Sequence, residues 1–352
     1  MYETNQTDVT NALTTASPEV FNSATIDSIM SLVISGGDTV IAAEQVAATD
    51  NQIVTVAPGT ELAFVTVSDL TVTNVTVASD IPVVLFQGAA GVNATFNVPV
   101  PTAGQDLSAS AVQGAPGDPI ERFIAGTAGN DNITILDAMA TQVVAGNGDT
   151  INAGTGFTIV TAAQGSSIVA GGGDTIIATA GTDEDFTITE GTGTVAIVNN
   201  TSGLAVDISN VQYVQLDGGD ALIFADDMAQ ATVANLYQAL FGRTADAGGL
   251  EYWFDQADAG VWIGQIGNFF TTSAEYTGGG LTNEQFVESL YLNGLGRAAD
   301  AGGLTYWSSL LNTAAATRGE VAAGIAMAAA DPASGEVNVI GSVTVVEGID
   351  LG

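Results

Sequence analysis

The sequence predicts a multidomain chain. Its N-terminal two-thirds is all-β, either a sandwich or a parallel β-solenoid or β-roll, and a small all-α domain with an internal repeat follows. Three observations predict this. Short Val/Ile/Thr-rich runs separated by Gly, Pro and Asp turns fill the chain to about Asp227. Within them a Gly-Asp-Thr-Ile core recurs. Beyond Met228 the apolar spacing becomes helical, and the stretch that begins at Leu236 returns at Leu290. At 352 residues the chain is long enough for two or three domains with substantial cores.

Five segments follow in order: a β-rich domain (1–97), a linker (98–122), a solenoid or degenerate β-roll (123–228), a helical repeat domain (229–331) and a β-like tail (332–352). In the first, "QIVTVAPGTELAFVTVSDLTVTNVTVASDIPVVLF" (52–86) alternates β-branched residues with short turns and sets Thr at alternate, outward positions. Such a threonine row fits solvent-facing strand positions or an ice- or glycan-binding row. The Pro- and Gly-rich stretch "VPVPTAGQDLSASAVQGAPGDP" (98–119) reads as the linker.

In the third segment "GTAGNDNITI" (126–135), "GNGDTI" (146–151) and "GGGDTI" (171–176) are related, with looser copies at 36–41 and 218–223. The interval from Asp131 to Asp149 equals two nonapeptides, whereas that from Asp149 to Asp174 is no multiple of nine. Parallel coils of roughly two dozen residues explain the longer interval. Each copy places glycines where φ must be positive and then starts a strand.

"ATVANLYQALFG" (231–242) sets Val233, Leu236, Tyr237, Leu240 and Phe241 at helical spacing, with Gly242 as the C-cap. Thr282 with Gln285, and Thr317 with Glu320, read as capping boxes. "LYQALFGRTADAGGLEYW" (236–253) recurs as "LYLNGLGRAADAGGLTYW" (290–307). Asp246 and Asp300 fit N-caps of the helices that carry Trp253 and Trp307, and the paired glycines after each aspartate allow close packing. Arg243 and Arg297 stand one short turn before those aspartates and are placed to pair with them. A structural ion pair and cap is the favoured reading, against a direct ligand role.

The pattern L-Y-x(4)-G-R-x-x-D-x-x-G-L-x-Y-W resembles the uncharacterised helical family called domain of unknown function 4214, over residues 229–330. The resemblance implies a secreted or surface-attached bacterial protein and no particular reaction. The Gly-Asp motifs in turn resemble the calcium-binding repeats-in-toxin β-roll. That resemblance implies Ca2+ as cofactor, with Asp131, Asp149, Asp174 and Asn130 as candidate metal ligands beside glycine carbonyls. Calcium needs six to eight oxygens, so one turn cannot supply a site. The sequence departs from the family here: Ala140 stands one nonapeptide after Asp131, and the glycines of the next two copies are shifted. Metal-free turn formation is the competing reading. Asp38 and Asp220 fit the pattern less well.

Acidic residues number 39 against four arginines, Arg122, Arg243, Arg297 and Arg318, for a net charge of −35; lysine, histidine and cysteine are absent. Such a charge repels nucleic acid and anionic membrane surfaces. No imidazole base, thiolate nucleophile, ordinary zinc site or Schiff-base lysine exists, so an enzyme is disfavoured. No apolar run of about 18 residues suggests a membrane span. The opening stretch "MYETNQTDVTNALTTASPEV" lacks the charged and apolar regions of a signal peptide.

The functional expectation is a self-assembling extracellular protein of a surface layer, sheath or filament. Its partners are copies of itself and a cell-surface polysaccharide, and its assembly depends on cations. The β-roll resemblance implies export by a type I pathway, and the tail "VTVVEGIDLG" (343–352) fits an uncleaved C-terminal signal. One rival is an adhesin or carbohydrate-binding protein with Trp262 or Tyr213 as platforms. The other is a polysaccharide-modifying enzyme, for which the acidic turn at Asp183, Glu184 and Asp185 is the nearest carboxylate cluster.

Overall fold

A strand of alternating inward and outward residues buries one face only if the next strand repeats its pattern in register. Here that requirement is met by coiling. The computed structural model describes residues 2–16, 23–34, 40–77, 81–97, 119–163, 165–169, 175–190, 194–331, 338–340 and 343–347. They fall into two compact units, Met1–Thr179 with Phe186–Val211, and Ala180–Asp185 with Gln212–Gly352.

The first unit is a parallel β-solenoid rather than a sandwich. One sheet stacks β2 (Val40–Ala47), β4 (Leu62–Thr66), β6 (Val83–Gln87), β8 (Arg122–Ala125), β10 (Thr141–Ala145), β12 (Thr158–Ala162) and β14 (Thr175–Ala178). All of these pair in parallel, and β1 (Tyr2–Asn5) lies antiparallel on β2. The second sheet stacks β3 (Gln52–Val54), β5 (Thr73–Val77), β7 (Val92–Phe96), β9 (Asn132–Ile135), β11 (Thr150–Asn152), β13 (Ser167–Val169) and β17 (Ala205–Ser209), also in parallel. An antiparallel hairpin of β15 (Phe186–Glu190) and β16 (Val195–Asn199) is added to β17.

The coils are shorter than expected where the Gly-Asp motifs occur. Thr141 lies opposite Thr158, and Thr158 opposite Thr175, so one full coil there runs only from Thr141 to Phe157. Two short strands and two tight corners need no more chain than that. Because Thr150 pairs with Ser167, Asp149 is level with Ser166 and not with Asp174. Asp174 and Asp38 lie outside the described residues. So does 98–118, yet Val83 pairs with Phe123 and Asn93 with Asn132, and the strands on either side of that segment share the same two sheets.

Two helices, α1 (Gln6–Ala16) and α2 (Ser23–Val33), stand in a segment whose sequence read as β. Val9 and Leu13 of α1, and Ile26, Ile29, Met30 and Val33 of α2, form one core with Ile41, Leu62, Val83, Leu85 and Phe123. They therefore cover the outer face of the first sheet. The spacing of the α2 residues is the i, i+3, i+4, i+7 pattern of an amphipathic helix.

On β8, Phe123 and Ala125 belong to that outer core, which leaves Arg122 and Ile124 facing the solenoid interior. Arg122 is 0 % exposed. Its two terminal nitrogens donate to the Asp137 carboxylate at 2.9 and 2.8 Å, and one of them also donates to the Thr141 hydroxyl at 3.0 Å. The guanidinium lies 4.9 Å from the centre of the Phe96 ring. A bidentate geometry offsets much of the desolvation cost of burying the two charges.

In the second unit β18 (Tyr213–Gln215), β19 (Ala221–Ala225), β21 (Val343–Glu347) and β20 (Asn338–Ile340) pair antiparallel in that order. Part of the β-like tail is thus a paired strand. Six helices precede it: α3 (Met228–Phe241), α4 (Ala247–Asp258), α5 (Ile263–Thr272), α6 (Asn283–Leu295), α7 (Ala301–Asn312) and α8 (Arg318–Ala330). Buried through most of its length, α3 packs against α4, α6 and α8. Gly242 ends it at φ 65°, and both capping boxes are formed, by Thr282 with Gln285 and by Thr317 with Glu320.

Removing one partner of the interior ion pair leaves the other charge buried. Asp137→Ala is expected to lower the unfolding free energy by about 3–5 kcal/mol. The double variant Arg122→Met/Asp137→Ala recovers a large part of that loss, measured by urea unfolding.

Candidate functional site

Two groups of residues stand out from the sequence: the aspartates at one solenoid corner and the helical repeat. At the corner, register places Val92, Asp131, Asp149 and Ser166 at one position of successive coils. Asp131 accepts the Val92 N–H of the preceding coil at 2.7 Å, and the Thr127 N–H and hydroxyl of its own turn at 2.6 and 2.7 Å. Asp149 repeats the arrangement. It accepts the Asp131 N–H of the preceding coil at 2.9 Å and the Gly146 N–H of its own turn at 2.6 Å. Each carboxylate therefore closes its own turn and reaches back to the coil before it.

The backbone around this ladder is tight. The Asn130 carbonyl lies against Gly91, and its side chain lies against Gly148, at φ 96° and 84°. Asp131 is 2 % exposed and Asp149 1 %. Burial raises the Asp131 carboxyl above the usual carboxylate range, opposed by the hydrogen bonds from Thr127 and Val92. Asp149 is pushed up to about 6, first by burial and further by the charge of Asp131, against the N–H groups of Asp131 and Gly146.

The described members of the set, Asp131, Asp149 and Asn130, do not by themselves fit a calcium ion. Calcium needs six to eight open oxygen lone pairs. Here both oxygens of each carboxylate point at N–H or O–H donors, and the side chains are enclosed. The Asn130 carbonyl packs against Gly91. Among the described residues no group of three or more acidic side chains is placed to hold a metal.

In the helical repeat, Asp246 caps α4 and Asp300 caps α7, accepting the N–H of Gly249 and of Gly303, each at 2.9 Å. The anticipated Arg243–Asp246 contact is long, at 3.4 Å, because Glu275 holds the guanidinium at 2.7 and 3.2 Å. Glu275 was not legible in the sequence, since it has no counterpart in the repeated stretch. What the two copies share is a guanidinium over a tyrosine ring: Arg243 at 5.2 Å from Tyr237, and Arg297 at 5.4 Å from Tyr291. The tyrosine hydroxyls reach Gly249 and Gly303, where any side chain would collide with them. Asp300 is held below the ordinary carboxylate range, mainly by the Gly303 N–H, with Arg297 adding. Trp253 packs on Phe269 and Phe270, and Trp307 packs on Gly324. The positions common to both copies thus build one helix–turn–helix corner twice.

The remaining candidates are dispersed. Tyr213 is buried and donates its hydroxyl to the Ala245 carbonyl at 3.3 Å, so it offers no platform, whereas Trp262 is 60 % exposed. Asp183, Glu184 and Asp185 form a solvated turn of 3-10 helix with no buried member. A cavity of about 400 Å³ beside Tyr213 is lined by Gln215, Asp220, Gln238, Arg243 and Asp246. Arg122, read only as one of four cations, proves to be the most deeply buried charged residue among those described. Its alternation with the buried Ile124 on one strand was the available signal.

Residues 267–330 match the family model described as Domain of unknown function (DUF4214). The match takes in α6, α7 and α8 with the second copy of the repeat; the first copy, in α3 and α4, lies before it. No curated protein and no solved structure matches the chain.

The raised Asp149 carboxyl sets a sign for pH dependence. Folding favours its protonated form, so stability is lost as pH rises from about 4 through about 6. Relative to Asp149→Asn, the wild type should lose on the order of 2–3 kcal/mol between pH 4 and pH 7.5, read as paired urea midpoints. Asp300→Ala removes a cap and should lower the urea midpoint at neutral pH, measured in the same way.

Proposed function

We propose that the protein is an extracellular structural protein of a bacterium that self-assembles into a layer, sheath or filament once cations screen its surface. The observation that carries this reading is a parallel β-solenoid in a chain of net charge −35. A solenoid is a rod with sheet edges at its ends, and edge strands template pairing with another chain. In the first unit the second sheet ends at β3, where Ile53 is 61 % exposed. Opposing that association, 39 acidic residues repel a second copy. Salt shortens the reach of this repulsion, to about 10 Å at 0.1 M and about 3 Å at 1 M.

Cations act in this scheme on the exposed carboxylates as a whole, not through Asp131 and Asp149, whose oxygens are already engaged. A chain whose assembly waits on screening cations has its timing set by its own charge. Export from the cell belongs to the same reading, and the DUF4214 match adds no reaction to it.

Light scattering across calcium and sodium chloride titrations tests the proposal. Large particles should form above a threshold of either salt, at much lower concentration for calcium, and negative-stain images should show sheets or filaments. A monomer throughout both titrations overturns it.

A further inference from the structure

We propose that the outward face of the solenoid's second sheet binds one extended, neutral polysaccharide chain lying along the solenoid axis. The inward residues of this sheet, such as Val75, Ala94, Ile133 and Ile151, are buried. The alternate positions therefore face out. In β5, β7 and β9 they read Asn-x-Thr, as Asn93 and Thr95 do in β7, and in β11 they read Thr-x-Asn. Pairing is in register from strand to strand, so the polar groups form two parallel columns.

Three properties of the columns point to the ligand. The first is neutrality. In a chain with 39 acidic residues, none of these four strands carries a charged one. The net charge of −35 disfavours an anionic glycan, while the strip between Asp50 at one end and Asp207 at the other offers only amides and hydroxyls.

The second is preorganisation. Asn93 donates to the Asn74 amide oxygen at 2.8 Å, Asn74 donates to Asp50 at 2.7 Å, and Asn152 donates to Asn132 at 3.1 Å. Amides linked in this way are held in place before any ligand arrives, which lowers the ordering cost of binding.

The third is shape. Stacked strands repeat every 4.7–4.9 Å or so, close to the advance of one sugar in an extended chain. Apolar groups border the threonine column: Ile53, in register with Thr76, and Leu136, just beyond Thr134 on the same side, are both exposed. Sugars present hydroxyls at the edge of an apolar ring, and amide columns bordered by aliphatic side chains meet both surfaces. An ice lattice offers no apolar face to Ile53 and Leu136, and is the disfavoured occupant.

Retention of the full-length protein on microcrystalline cellulose and chitin, with affinity electrophoresis in hydroxyethylcellulose, tests the proposal. The wild type should be retained on at least one matrix, and retention should persist at high salt because the contacts are uncharged. Thr95→Glu/Thr134→Glu places two charges in the middle of the strip and should reduce retention at least ten-fold. Circular dichroism and the thermal midpoint verify its fold; Thr95→Glu alone serves if the double variant does not fold. Ser309→Glu, exposed on α7, should bind as the wild type does. The proposal is overturned if no neutral matrix retains the protein, if the variants are retained equally, or if the face adsorbs only to growing ice.

Discussion

Every coil of the solenoid has to bring its strand back beside the previous one after a fixed length of chain, and most of the first unit follows from that constraint. Where Thr141, Thr158 and Thr175 are stacked, the chain from Thr141 to Phe157 must supply two strands and two corners. Such corners leave backbone N–H groups pointing at the neighbouring coil with no strand partner, and enclosed donors of that kind are costly to leave unpaired. Asp131 and Asp149 answer this by accepting one N–H from their own turn and one from the coil before. The cost appears in their titration: burial raises both carboxyls. Gly126 and Gly146 are fixed by the same arrangement, because each packs against the carboxylate that its turn encloses.

The interior follows a related logic. Stacking places like positions in columns, so Arg122 stands level with Thr141, Thr158 and Thr175. Thr141 satisfies its hydroxyl on the Met139 carbonyl and Thr158 on that of Gly156, whereas the buried Thr175 hydroxyl has no partner among the described residues. An arginine needs more: Asp137 and Thr141 engage its terminal nitrogens and the Phe96 ring lies under it, while the buried Nε has no partner among the described residues. This pair occurs on the first strand of the sheet after the long 98–118 stretch. A directional two-pronged contact supplies a register mark that apolar packing lacks.

Much of this was legible in the residues, in proportion to how local the determining interaction is. The caps at Asp246 and Asp300, both capping boxes and the Gly242 terminus depend on neighbours within about one helical turn, and the sequence shows them. The solenoid was visible as a class, from Gly-Asp turns and β-branched runs. Its register was not, since the interval from Asp149 to Asp174 suggested longer coils than the pairing of Thr150 with Ser167 makes. Helices α1 and α2 were missed because Thr and Asn in "QTDVTNALTTA" are poor helix formers, and packing on Leu62, Val83 and Phe123 outweighs that propensity. Arg243 shows the same division. Its placement over Tyr237 is encoded in the repeat, whereas its closest partner, Glu275, comes from a distant loop beyond α5.

The scarcity of positive charge acquires meaning once each arginine is located. Arg122 is engaged by Asp137 inside the solenoid, and Arg243 by Glu275 and the Tyr237 ring. Arg297 lies over Tyr291, while Arg318 donates to the carbonyls of Gly278 and Leu281 and lies over Phe286. Every arginine of the chain thus serves a specific packing contact, and among the described residues only Arg122 and Arg243 form ion pairs with a carboxylate. Lysines scattered over the surface would neutralise it without ordering anything; this chain has none. Its exterior charge is consequently left to mobile counter-ions, whose concentration belongs to the surroundings and not to the fold. The four strands that carry the Asn/Thr strip bear no charged residue, so fewer of those ions gather over them.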